Sequence, residues 1–250
     1  FAGGFLMVNI MINLTLAYFF PSMLETNDAL NDIMDGIPYI VQLFIVAVMP
    51  AICEETLHRG FILSSFRRFK NKWVIIVIMG VLFGLFHIQP EKYLATGALG
   101  CALTYLMIST DNFVMPMTFH FLNNGVAITL SYLMNIIDKY TNNMGIETQD
   151  ATLTSIPLFY LGIYFILFMA VPFIIYGGAL LIKGVERIKR EGNKKLGRGF
   201  IISGCITGTM LVLGVICIFL GAAIGDITPN TAPVSSEPFI MLYRMLLSGF

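Results

Sequence analysis

GFIISGCITGTMLVLGVICIFLGAAI, residues 199–224, holds no acidic, basic or imidazole side chain. A helix crosses the hydrocarbon of a bilayer with about 20 apolar residues, so this run predicts a membrane span. Outward from it the pattern repeats. Apolar blocks run over Gly4–Phe20, from Pro38 through Ala51 with a more polar continuation to Phe66, and over Trp73–His87, Tyr93–Ile108, Phe113–Met134 and Ile156–Ile182; Phe239–Phe250 reads as the start of another. Composition agrees: 57% of the 250 residues are hydrophobic and 12% charged, with a mean hydropathy of +0.81. A soluble domain carries about 25% charged residues. Outer-membrane barrel strands alternate apolar and polar side chains over about ten residues, a pattern this sequence lacks. The expectation is an all-α, polytopic transmembrane helical bundle of about 7–8 spans. It forms one transmembrane domain over 1–250, with a core at 38–135 and additional helices over 156–250.

Loop charges orient these spans. Arg67, Arg68, Lys70 and Lys72 follow the second block, and Lys183, Arg187, Lys189, Arg190, Lys194, Lys195 and Arg198 follow the sixth. The loops Pro21–Gly36 and Asn135–Ser155 are acidic. Four spans separate the basic clusters, so both fall on one side, which the positive-inside rule makes cytoplasmic; the chain is expected in the cell membrane with loops 66–72 and 183–198 inside. A net charge of zero gives no basic field for nucleic acid. Cys53, Cys101, Cys205 and Cys217 lie dispersed in apolar stretches without CxxC spacing, and read as small buried apolar residues rather than disulfides or metal ligands. No basic segment followed by an apolar run and a small-residue cleavage site opens the chain, so a removable signal peptide is not expected.

Within or beside the apolar blocks stand Glu54, Glu55, His58, Arg59, His87, His120, Asn123 and Asn124, which include all three histidines. Each ionisable group at the centre of a spanning helix costs about 2.5–3.5 kcal/mol, so these groups are expected to face one another around a polar cavity. The bland alternative is an inert polar knot that fixes helix packing. Glu55 and Arg59 are four apart in the favoured acid-first order. Successive helical side chains diverge by about 100°, so Glu54 projects away from that pair and stays available. Phe83 and His87 share one helix face by the same spacing, as do His120 and Asn124. Glu54 and His87 stand at similar depths, about 20 Å of helix from the basic loop. His120 is expected shallower unless helix tilt or a short fourth span compensates. Pro50 and Pro116 each precede a polar residue by four positions and are expected to interrupt the helical ladder there.

A carboxylate facing an imidazole holds a water and takes its proton as it attacks a carbonyl. A second imidazole and a carboxamide offer hydrogen bonds to the resulting oxyanion. Glu54 with His87, and His120 with Asn124, therefore form a plausible amide-hydrolysing set. HExxH and GxSxG are absent; a Glu–His–His zinc site remains a minor alternative, and no setting that would activate Cys53 as a nucleophile is evident.

Glu54-Glu55-Thr-Leu-His-Arg59 followed by Gly60, Phe83-Gly-Leu-Phe-His87, and His120-Phe-Leu-Asn-Asn124 resemble, in order and spacing, the EExxxR, FxxxH and HxxxN motifs of the CAAX-prenyl-protease and bacteriocin-processing family (CPBP, or Abi). The stretch between the last two motifs, with Gly97, Gly100 and a turn before Pro116, reads similarly. The resemblance implies a helical membrane fold and a glutamate endopeptidase without cofactor or metal. In it, Glu54 and His87 activate water, His120 and Asn124 stabilise the oxyanion, and Glu55 with Arg59 forms an auxiliary pair. Its partners are a peptide or membrane-protein substrate and the lipid bilayer, in peptide or bacteriocin maturation, self-immunity or CAAX-type processing. His58 departs from the family pattern, which has an apolar or aromatic residue there, and is expected in a structural or surface role before a tuning one. A non-catalytic immunity or interaction protein and a proton-coupled transporter are the competing readings.

Overall fold

In a computed structural model the chain is helical, and the structure describes residues 1–20, 34, 36–66, 68–143, 158–183 and 193–223. The eighth apolar run, most of the acidic loops, and Arg187, Lys189 and Arg190 of the second basic cluster lie outside these residues. The helices are α1 (Ala2–Phe19), α2 (Tyr39–Ser65), α3 (Lys72–Phe86), α4 (Tyr93–Thr110), α5 (Val114–Asn143), α6 (Leu158–Leu167), α7 (Val171–Lys183) and α8 (Asn193–Ala223). Among the described residues, four stretches are both long and apolar enough to cross a membrane: Tyr39–Ser65, Tyr93–Thr110, Leu158–Ile182 and Gly197–Ala223. Gly3–Phe19 and Lys72–Phe86 are apolar but shorter. α5 is not among the four, because its inward face carries His120, Asn123, Asn124 and Ser131, all buried. The sixth block is two helices rather than one: the ladder loosens over residues 168–170, next to Pro172, which has no N–H to give it.

Polarity runs inside out. On α3, Val77, Val81 and Leu85 form an exposed i, i+4 stripe, while Ile76, Met79, Gly80 and Phe83 are buried. Asn9, Asn13, Gln42, Glu55, His58, Arg59 and Thr104 are buried as well. An apolar exterior over a polar interior is what hydrocarbon solvent selects. The cysteines are unpaired as expected, but Cys53 and Cys205 lie on the apolar exterior rather than in the core.

α3 and α4 pack through glycines. A Cβ on Gly84 would come within 2.6 Å of the Tyr93 carbonyl oxygen, and one on Gly100 within 2.6 Å of the Phe83 Cβ. Gly80 and Gly84 form the small-xxx-small spacing that lets two membrane helices approach backbone to backbone. Asn71 caps α3, accepting from the Trp73 N–H at 3.0 Å. The helix ends at Phe86, and Ile88 adopts φ 61°, a left-handed conformation that strains a β-branched residue. Asp111, also left-handed at φ 49°, closes α4.

α2 is not uniformly α-helical: Phe44–Val48 and Thr56–Ile62 are π-helical turns. The first lies just before Pro50, as expected where proline removes a donor and the ladder must re-register. Pro116 behaves otherwise. It sits in the first turn of α5, where a backbone N–H has no helical acceptor anyway, so it interrupts no ladder.

Gly100→Ala forces Phe83 aside, and overpacking of this kind costs about 1–3 kcal/mol. Gly60→Ala meets only Thr56 Cγ2 at 4.0 Å. Thermal unfolding in detergent is expected to show a lowered midpoint for Gly100→Ala and none for Gly60→Ala; equal midpoints would refute the close α3–α4 contact.

Candidate active site

Glu55 is the centre of the polar interior. Its Oε1 accepts from Arg59 Nη1 at 2.9 Å, one helical turn along α2, and from the His120 Nδ1–H on α5 at 2.9 Å. Both side chains of the Glu55–Arg59 pair are fully buried. Arg59 Nη2 donates to the Gly100 carbonyl on α4 at 2.8 Å, and its guanidinium lies 4.7 Å from the centre of the Phe83 ring on α3. One ion pair thus touches the three helices that carry the motif residues, and α4 besides. The spacing argument for Glu55–Arg59 holds. His120, which sequence spacing coupled to Asn124, turns out to be bound to Glu55.

Phe83 is the apolar hub. Its ring centroid lies 4.9 Å from that of His58, 5.1 Å from His87 and 5.8 Å from His120. The depth difference expected between His87 and His120 is therefore closed, since both flank one ring. α3 is short, and His87 caps its end instead of lying mid-helix.

The three imidazoles share an orientation. His87 Nδ1 donates to the Phe83 carbonyl at 3.0 Å, and His58 Nδ1 to the Glu54 carbonyl at 2.9 Å. His120 Nδ1 donates to a carboxylate. Since carbonyl and carboxylate oxygens only accept, Nδ1 carries a proton in each ring and is engaged on the ring's own support, which leaves Nε2 free of that bond. His58 is fully buried, edge-on to Phe83 and 5.2 Å from Phe86, so the surface role considered for it is excluded.

Glu54 is half-buried and diverges from Glu55 as the helix geometry requires. Its Oε2 is buried without a hydrogen-bond partner, and so are Glu55 Oε2, His58 Nε2, Asn123 Oδ1 and the Arg59 Nε. Asn124 Nδ2 donates to the Val46 carbonyl at 3.0 Å in the first π-helical turn of α2, and its Oδ1 accepts from Asn123 Nδ2 at 3.2 Å. One amide hydrogen of Asn124 remains for another acceptor. Among the described residues, no three His, Cys, Asp or Glu side chains are grouped so as to hold a metal ion.

Sequence reasoning missed the Val46 carbonyl and the Gly100 carbonyl as partners. Backbone acceptors leave no side-chain signature. The Gly80/Gly84 spacing did carry a signal for the second, since it marks where α4 comes close enough for Arg59 to reach it.

Residues 36–126 match the family model described as Rce1-like, Type II CAAX prenyl endopeptidase Rce1-like. That segment contains Glu54, Glu55, Arg59, His87, His120 and Asn124. Neither the curated proteins nor the solved structures provide a match.

Two substitutions separate charge from shape in this site. Arg59→Met leaves the Glu55 carboxylate without its counter-charge and is expected to cost about 3–5 kcal/mol of stability; Glu55→Gln/Arg59→Met, measured by unfolding in detergent, recovers part of that loss. His58→Phe keeps the aromatic packing against Phe83 and Phe86, whereas His58→Ala empties it at about 3–5 kcal/mol. Comparable destabilisation by His58→Phe and His58→Ala would mean that the His58 hydrogen bond, not its ring, is what the site requires.

Proposed function

We propose that this protein is an intramembrane, metal-independent glutamate endopeptidase, a reading supported by the match of residues 36–126 to the Rce1-like, Type II CAAX prenyl endopeptidase family model. The observation that carries the reading is the division of labour between adjacent carboxylates. Glu55 Oε1 is held by Arg59 and His120, while Glu54 lies outside that network; each carboxylate keeps a buried Oε2 with no partner. A buried acceptor left unsatisfied costs about 1–3 kcal/mol, and a water relieves that cost while becoming the nucleophile.

In this mechanism Glu54 takes a proton from water as the oxygen attacks the scissile carbonyl, with the His87 Nε2 accepting the second water hydrogen. The tetrahedral oxyanion accepts hydrogen bonds from His120 and from the remaining Asn124 amide hydrogen. For His120 to donate from Nε2 as well as Nδ1 it must carry both protons, and the oxyanion offsets that charge because Arg59 already neutralises Glu55. Arg59 balances Glu55 in turn and ties it to α4. Glu54 then returns its proton to the leaving amine as the C–N bond breaks, and the product acid is released.

The substrate is a peptide or membrane-protein segment presented at the bilayer, in CAAX-type processing, peptide maturation or self-immunity. The protein is placed in the cell membrane with the basic loops 66–72 and 183–198 cytoplasmic, supported by the positive-inside rule. A proton-relay transporter is less well supported, because the apolar blocks of α6–α8 contain no acidic or basic side chain to continue a path.

Purified protein acting on quenched peptides tests the proposal. Glu54→Gln and His87→Ala are expected to abolish cleavage, Asn124→Ala to lower kcat by about 10²–10³, and chelators to change nothing. Cleavage that survives in Glu54→Gln would overturn the glutamate mechanism, and loss of activity in chelator would point to zinc. A biological effect that persists in both variants without cleavage would indicate a binding protein.

A further inference from the structure

Away from the polar site, α1, α3, α4, α6, α7 and α8 line a cavity of about 840 Å³ that opens onto the exterior of the bundle. Its walls are almost wholly apolar, including Phe5, Ile76, Ala102, Ile175, Ala179 and Ile206. Two of its polar side chains are already satisfied: the Thr15 hydroxyl donates to the Met11 carbonyl at 2.9 Å, and the Ser203 hydroxyl to the Pro172 carbonyl at 3.4 Å. A cavity with walls of this kind has little to offer a polar ligand or ordered water, which needs two to four polar partners.

The cavity is elongated along the helices. On α8 its wall runs from Gly199 to Met210 and on α4 from Leu94 to Tyr105, each about 16 Å of helix. That length matches one leaflet, half of a hydrocarbon core about 30 Å thick.

One end is chemically marked. Trp73 and Tyr105 line it and stack at 6.1 Å, and the Lys72 ammonium lies 5.5 Å from the Trp73 ring. Lys72 and Arg198 are exposed and directly precede the lining residues Trp73 and Gly199. α7 reaches this end too, where its lining residues end at Leu180. Aromatic rings beside basic side chains are the signature of a membrane interface, and cations there attract anionic headgroups.

We propose that this cavity holds one acyl chain of an anionic phospholipid from the leaflet on the basic side, with its phosphate at Lys72 and Arg198. An acyl chain satisfies the walls, the length and the absence of polar partners, and the charge at the mouth selects its headgroup. The site is separate from the peptidase reading and does not depend on it.

Trp73 is the sole tryptophan in the chain and lies in the cavity wall, so its fluorescence reports occupancy. Delipidated full-length protein in detergent is titrated with phosphatidylglycerol brominated on its acyl chains, and in parallel with brominated phosphatidylcholine. Saturable quenching is expected, tighter for phosphatidylglycerol and reversed by unbrominated phosphatidylglycerol. Lys72→Gln and Arg198→Gln each weaken it about fivefold. Ala179→Phe, which directs a ring into the cavity, removes the saturable phase at an unchanged unfolding midpoint; Ile206→Phe serves in its place if Ala179→Phe fails to fold. Quenching that rises linearly with bulk lipid and persists in the filled variant would mean annular lipid only and would overturn the site. Equal affinity for the two headgroups also overturns it, as does reversal by a farnesylated peptide but not by phosphatidylglycerol.

Discussion

A carboxylate buried in a membrane protein must find positive charge within the protein, and the core of this fold is organised around that requirement. Glu55 is fully enclosed, and in hydrocarbon an unpaired carboxylate of this kind is disfavoured by several kcal/mol. Arg59 neutralises it from the same helix, then reaches the Gly100 carbonyl of α4, while His120 closes the arrangement from α5. The guanidinium also faces Phe83 of α3. Four helices that have little hydrophobic reason to prefer one another over lipid are thereby given a single mutual register. Polar contacts specify the bundle, and glycine packing between α3 and α4 allows the approach they need.

This arrangement explains why two adjacent glutamates differ. At about 100° per residue, one side chain enters the charge network and its neighbour does not. Phe83 then acts as a spacer, an apolar ring against which three imidazoles lean. The π-helical turn Phe44–Val48 supplies the Val46 carbonyl that Asn124 holds, so an irregularity next to Pro50 serves as an anchor for α5.

Much of this was legible in the residues because hydrocarbon makes charge conspicuous. Glu54, Glu55, Arg59, His87, His120 and Asn124 stand out against apolar neighbours, and the i, i+4 rule identified the Glu55–Arg59 pair correctly. The all-α class followed from uninterrupted apolar runs. What escaped depends on geometry that side-chain types do not encode. The tether of His120 to Glu55 spans 65 positions, and backbone carbonyls at Val46 and Gly100 have no identity to read. Burial of His58 ran against its polarity, because the aromatic slot between Phe83 and Phe86 accepts an imidazole as readily as a phenyl ring. The Ile156–Ile182 block looked like one continuous helix because hydropathy averages over the break at residues 168–170.

The brevity of α3 has its own consequence for the surrounding lipid. Lys72–Phe86 amounts to about 22 Å of helix, well short of the roughly 30 Å of a typical hydrocarbon slab. Lipid facing such a helix compresses or the water boundary dips to meet its end, and that end is where His87 sits. The dimple brings solvent to a depth that a full-length span would keep dry. Under the hydrolysis proposed above, such a deformation of the bilayer would bring water to the end of α3 where His87 stands.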